Sequence, residues 1–165
     1  MEQLDLLKQK QPPRSKKQPQ EWKLVSVREC PTPEHLLHCD TPEKAAEYWR
    51  LHVEGHSLFD RERECFVVIV LNTRMRARGH HFVSVGSLNE SIAHPREVFR
   101  AAVIGAAYGV VLMHNHPSGE PQPSDADVRM TRRMAEAAKI LGIELLDHVI
   151  VGHQRHSSLR EMGLI

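Results

Sequence analysis

Residues 109–113, Gly-Val-Val-Leu-Met, limit the fold of this chain more than any other stretch. The run is apolar at every position, so it has no face fit for water. It therefore predicts a strand covered on both sides. The strand runs directly into His114-Asn115-His116-Pro117. If both histidines continue the extended backbone, the two-residue period points their rings to one side. Pro117 has no N–H to offer a ladder, and Ser118-Gly119 with Pro121 and Pro123 predicts a loop.

Ser124 is a good helix N-cap, and beyond it Asp127, Thr131, Met134, Ala138 and Leu141 step by four, three, four and three. That spacing makes one helical stripe facing a core. An aspartate on an inward stripe is costly unless a cation or hydrogen-bond donors compensate it. Strand end, loop and helix start thus bring three metal-ligand candidates together: His114, His116 and Asp127. A His-x-His pair alone carries little weight in a chain with 12 histidines. Requiring the proline, the serine and the aspartate at their offsets lowers the chance expectation to about one in ten thousand. Ser124-x-x-Asp127 also reads as a capping pair, which does not explain the histidines upstream.

The rest of the chain surrounds this stretch with alternating helices and strands. Residues 1–22 are polar, with Lys8, Lys10, Arg14, Lys16 and Lys17 uninterrupted by acids, and predict a disordered basic tail. Residues 23–40 form an irregular lead-in: Leu24–Arg28 as a first strand, then a Pro-punctuated surface loop from Cys30 to Asp40. The loop's Cys30, His35, His38 and Cys39 match no usual zinc spacing. Thr41-Pro42-Glu43 opens a helix ending toward Gly55, and His52 and His56 mark that helix end. Glu64–Leu71 is a second buried strand, with Phe82–Val85 returning after a turn near Arg74 to Gly79. Pro95 opens the next helix, where Arg96 and Glu97 form a starting ion pair. After the motif helix, Ile143–Val151 is another strand, and Ser157–Met162 a terminal turn or helix. The fold class is α/β, a single domain over residues 41–165.

Composition narrows the function classes. A net charge of +1 gives no global pull toward nucleic acid or membrane. No apolar run is long enough to span a bilayer, and the first residues lack a signal peptide's apolar region. Three cysteines argue against a disulfide framework, making the cytoplasm the expected compartment.

His114-x-His116-Pro117, six residues, then Ser124-x-x-Asp127 resembles the JAMM motif of MPN/JAB-domain metallopeptidases. Together with His94-Pro95-Arg96-Glu97-Val98-Phe99-Arg100, His116-Pro117-Ser118-Gly119 and Leu146-Asp147-His148-Val149-Ile150-Val151-Gly152, it resembles their RadC-like branch. The resemblance covers about residues 40 to 165. It implies a mixed β-sheet flanked by helices and a zinc-dependent hydrolase cleaving a peptide or isopeptide bond. The branch is associated with DNA repair, so an alternative is a protein that acts on or binds DNA. A non-catalytic interaction module is the third class. A zinc nucleobase deaminase is excluded, because its His-x-Glu and Pro-Cys-x-x-Cys elements are absent.

Two imidazoles and a carboxylate leave a tetrahedral zinc with one open position, the arrangement of a catalytic site. Ser124, at its helix N-terminus, is placed to hydrogen-bond an oxyanion. Glu62 and Glu64 both precede the buried strand with the same parity, so periodicity does not choose a base between them. The resemblance implies Glu64, immediately before the strand. Asp147-His148 is either an outer support for a ligand or an internal pair, and Cys65 a small core residue.

Overall fold

The computed structural model describes residues 28–86 and 93–165. Their elements are α1 (Glu34–Leu37), α2 (Pro42–His52), β1 (Cys65–Leu71), β2 (Ala77–Val85), α3 (Pro95–Ile104), β3 (Gly109–Asn115), α4 (Asp125–Leu141), β4 (Glu144–Val151) and β5 (His156–Ser158). The strands make one sheet in the order β2-β1-β3-β4-β5. β1 runs antiparallel to both its neighbours, β3 and β4 are parallel, and β5 returns antiparallel to β4. This is the mixed, helix-flanked α/β sheet expected from the sequence.

The apolar runs of β1 and β3 are explained by two cores, one on each face of the sheet. On one face Tyr48, Trp49 and Val53 of the α2 region pack on Val67, Ile69, Val111, Met113 and Val149. On the other, Val98 and Phe99 of α3 and Met134 and Ala138 of α4 pack on Phe66, Val68, Val110 and Leu112. Every residue of β1 and of β3 is buried. Parallel β3 and β4 need a crossover connection, and α4 supplies it. Its N-terminus therefore arrives at the same end of the sheet as His114.

Several expectations need correction. β2 begins at Ala77, because Asn72 closes the turn earlier by accepting the backbone N–H groups of Arg74 and Arg76. Arg78, His80 and His81 concealed the strand's first half, since an edge strand is only partly covered and tolerates polar side chains. The tail of the domain forms β5 where a turn or helix was expected, and only then turns. The supposed surface loop, Cys30 to Asp40, contains α1 and buries Leu36 and Cys39, with the Cys39 N–H bonded to the Met75 carbonyl. Burial pushes the Cys39 thiol up to about 12, first of all, with Asp40 adding to it. Such a thiol is a core side chain. The basic tail and most of the Leu24–Arg28 strand lie outside the described residues. Among the described residues, no helix is long and apolar enough to cross a membrane.

One close approach fixes the loop that follows β3. A Cβ on Gly152, just past β4, would fall on the Gly119 carbonyl oxygen, a backbone atom. Gly119 itself has φ +81 and lies against the His153 ring. Gly152→Ala is expected to destabilise the fold by about 1–3 kcal/mol through overpacking. Urea denaturation read by circular dichroism measures it, and an unchanged midpoint would refute the close approach.

Candidate metal centre

β3 hands its last residues to the site in strict alternation. His114, 2 % exposed, faces the α4 side, in line with Leu112 and Val110. Asn115 faces the α2 side, and His116, one residue past the strand, returns to the α4 side with its N–H still bonded to the Val151 carbonyl. The ring of Phe66 stacks against His114 at 6.0 Å between centroids, walling the site.

The third group comes from the first turn of α4. Ser124 caps this helix in a full capping box: its hydroxyl accepts from the Asp127 N–H, and its own N–H donates to Asp127 Oδ2 at 2.8 Å. The Ser124 hydroxyl also donates to the same oxygen at 2.6 Å. The capping reading of this pair is therefore correct, and the cap does more than end a helix. It clamps the carboxylate in one rotamer, turned toward the imidazoles.

The distances test whether a small divalent ion fits. Metal–ligand bonds of about 2.0–2.1 Å at tetrahedral angles set neighbouring donor atoms roughly 3.3 Å apart. His114 Nε2 lies 3.0 Å from His116 Nε2 and 3.3 Å from Asp127 Oδ1. His116 Nε2 lies 3.5 Å from Asp127 Oδ2. Each carboxylate oxygen of Asp127 thus approaches one imidazole at this scale, and one donor atom from each of the three side chains lies within 4.8 Å of the others, so the set can hold a small ion. Among the described residues this is the one group of three such side chains that could hold a metal ion. His52 and His56, and the four candidates between Cys30 and Cys39, form no such group.

The surroundings of Asp127 favour its charged form. Burial alone would push the Asp127 carboxyl up. The neighbouring His114 and His116 imidazoles and the Ser124 hydroxyl overcome it and hold the group well below the usual carboxylate range. His116 is held above the ordinary imidazole value, first by Asp127, against burial, and then by the Glu120 carbonyl and the charges of Asp127 and Glu64. The Glu120 carbonyl lies 2.8 Å from His116 Nδ1 and, having no proton, must accept from it. Nε2 is thereby left facing Asp127. Glu120 is in turn paired with Arg155 at 2.8 Å, which ties the loop to the turn between β4 and β5.

Glu64 directly precedes β1, is partly buried, and acts on His116 through its charge. Glu62 is exposed, with its N–H bonded to Asp60 Oδ1. A residue that sequence reasoning passed over holds Glu64 in place. Asn115, 6 % exposed, accepts from the Cys65 N–H at 2.9 Å and donates to the Arg63 carbonyl at 3.0 Å. It grips the backbone on both sides of Glu64. Its position between the two histidines was the available signal, since strand alternation sends it to the opposite face.

The Asp147-His148 pair is divided by the sheet. Asp147 accepts from the Ser158 hydroxyl at 2.6 Å and from the His148 and Arg160 backbone N–H groups. The His148 ring instead lies against His114, at 2.8 Å. Arg96 and Arg100 pair with Glu97 at the start of α3, on the surface.

A family model described as "RadC-like JAB domain" matches residues 39–164. Three relatives are each named "UPF0758 protein". That of Geobacillus thermodenitrificans is 50% identical over 131 residues, covering 79% of this chain and 55% of its own. That of Moorella thermoacetica is 52% identical over 104 residues, 63% of this chain and 45% of its own. That of Methanosarcina barkeri is 43% identical over 106 residues, 64% of this chain and 46% of its own. The chain spans about half the length of the curated relatives it matches.

Removing the Asn115 side chain would leave a buried N–H without an acceptor. Asn115→Ala should lower stability by about 1–3 kcal/mol in urea unfolding, yet leave divalent-metal binding intact because the three donors lie on the other face. Loss of metal together with stability would contradict this division of labour.

Proposed function

The chain belongs to the RadC-like JAB domain family, and on that premise we propose that it is a zinc-dependent hydrolase of peptide or isopeptide bonds. The observation that carries the reading is the convergence of His114, His116 and Asp127, whose donor atoms, one from each, lie within 4.8 Å of one another. Zinc held by them would supply a Lewis acid and a water acidified toward a pKa of ~7. Two nitrogens and one oxygen leave a tetrahedral site with one position free, as catalysis requires.

This chain's own residues do the rest. The Glu64 carboxylate takes a proton from the attacking water and passes it to the departing amine nitrogen. Support for this role comes from its charge, which raises His116, and from the pairing of Phe66, two residues later, with His114. The Ser124 hydroxyl releases Asp127 and donates to the oxygen that gains charge as the carbonyl is attacked. The N-terminus of α4 adds favourable field there. His114 and Phe66 form a dry wall behind the reacting centre. Three unpaired thiols suit a reducing compartment, and the cytoplasm is the proposed location.

The shared name of the relatives states no reaction, so the test is a direct one. Purified protein should hold about one zinc per chain, and His114→Ala should lose it. Glu64→Gln should keep the metal and lose about 100- to 10,000-fold in cleavage of linked peptides. Ser124→Ala should lose about 100- to 1,000-fold, with zinc retained. Duplex DNA in the same assay covers the phosphodiester alternative. Undiminished peptide cleavage by Glu64→Gln, or a native protein that takes up no zinc, would end the hydrolase reading.

A further inference from the structure

Behind the three donors lie two fully buried polar side chains, Thr131 and His148. We infer that Thr131 and His148 are positioning residues that fix which nitrogen of His114 carries its proton, and so keep the other free for the metal. The inference rests on the metal reading above and extends it to how the site is kept ready.

The geometry determines the direction of the hydrogen-bond chain. Thr131 Oγ1 lies 2.6 Å from the Asp127 carbonyl oxygen and 2.6 Å from His148 Nδ1. Two oxygens at such a separation need a proton between them, and a carbonyl has none to give. The single Thr131 hydroxyl proton is thus committed to the Asp127 carbonyl. Toward His148 the hydroxyl can only accept, so His148 Nδ1 must carry the hydrogen.

His148 is 0 % exposed, and an imidazole so deeply buried carries one N–H, not two. Its Nε2 is then an acceptor. The partner of Nε2 is His114 Nδ1 at 2.8 Å, which must in turn be the donor. His114 Nδ1 therefore carries a hydrogen, and Nε2 is the nitrogen that faces His116 and Asp127.

The reverse order would put the hydrogen on His114 Nε2 and block the site. It would also leave the 2.6 Å contact between Thr131 and Asp127 with no hydrogen in it. The arrangement links ligands from two elements. Thr131 stands one helical turn after Asp127 on α4, while His148 is carried on β4 beside β3. The chain of bonds therefore spans from the backbone of one ligand to the ring of another. His116 is treated alike by a different device, the Glu120 carbonyl.

Thr131→Val removes the hydroxyl at nearly constant shape, and Thr131→Ser restores it. Zinc affinity measured by competition with a chelator should fall about 10- to 100-fold in Thr131→Val and return to the native value in Thr131→Ser. Ring nitrogen spectra of the native, metal-free protein should show hydrogen on Nδ1 of both His114 and His148. Thermal unfolding of the same variants separates any loss of stability, which cannot move a ring proton. Native zinc affinity in Thr131→Val, or a hydrogen on His148 Nε2 in the native protein, would overturn the inference. A native protein that binds no zinc defeats the hydrolase reading instead, and the ring spectra still decide the proton pattern.

Discussion

Two backbone carbonyls, those of Glu120 and Asp127, hold this site in order. A carbonyl oxygen accepts and never donates, so each one fixes the direction of every hydrogen bond linked to it. One acts on His116 directly, the other on His114 through Thr131 and His148. Both chains end with a ring nitrogen turned toward Asp127. A carboxylate and two ring nitrogens, each nitrogen within 3.5 Å of a carboxylate oxygen, suit a shared proton or cation between them. The groups behind the three side chains thus prepare a place that a metal ion could fill.

Asp127 has two tasks that reinforce each other. As the N3 residue of α4 it closes a capping box with Ser124, which steadies the helix start and holds the carboxylate in place. The same carboxylate completes the donor set. Economy of this kind explains why a strongly polar group can stand on a stripe that elsewhere packs Met134 and Ala138 into the core.

The sheet separates chemistry by parity. His114 and His116 project to the α4 side, and Asn115 between them projects to the α2 side, where it holds the backbone around Glu64. Asp147 and His148 repeat the division on β4, one bonded to Ser158 and the other to His114. Antiparallel pairing of β1 with β3 sets Phe66 opposite His114, and alternation puts Glu64, two residues earlier, on the same side. A slip of one residue in that register would turn every one of these side chains to the wrong face.

Much of this was written in local sequence. The unbroken apolar runs of β1 and β3, the proline and serine that end one element and start the next, and the Asp127 stripe all act through neighbours a few residues away. The sequence by itself therefore determined the buried strands, the motif helix and the three donor candidates. Tertiary structure decided what depends on partners distant in the chain. The polar first half of β2 is a strand because β1 pairs with it, and β5 because β4 does. Asn115 matters through residues 63 and 65, and the His148 ring turns to His114 although its sequence neighbour is Asp147. Those choices were set by register and by burial of hydrogen-bonding groups, neither of which a one-dimensional pattern carries.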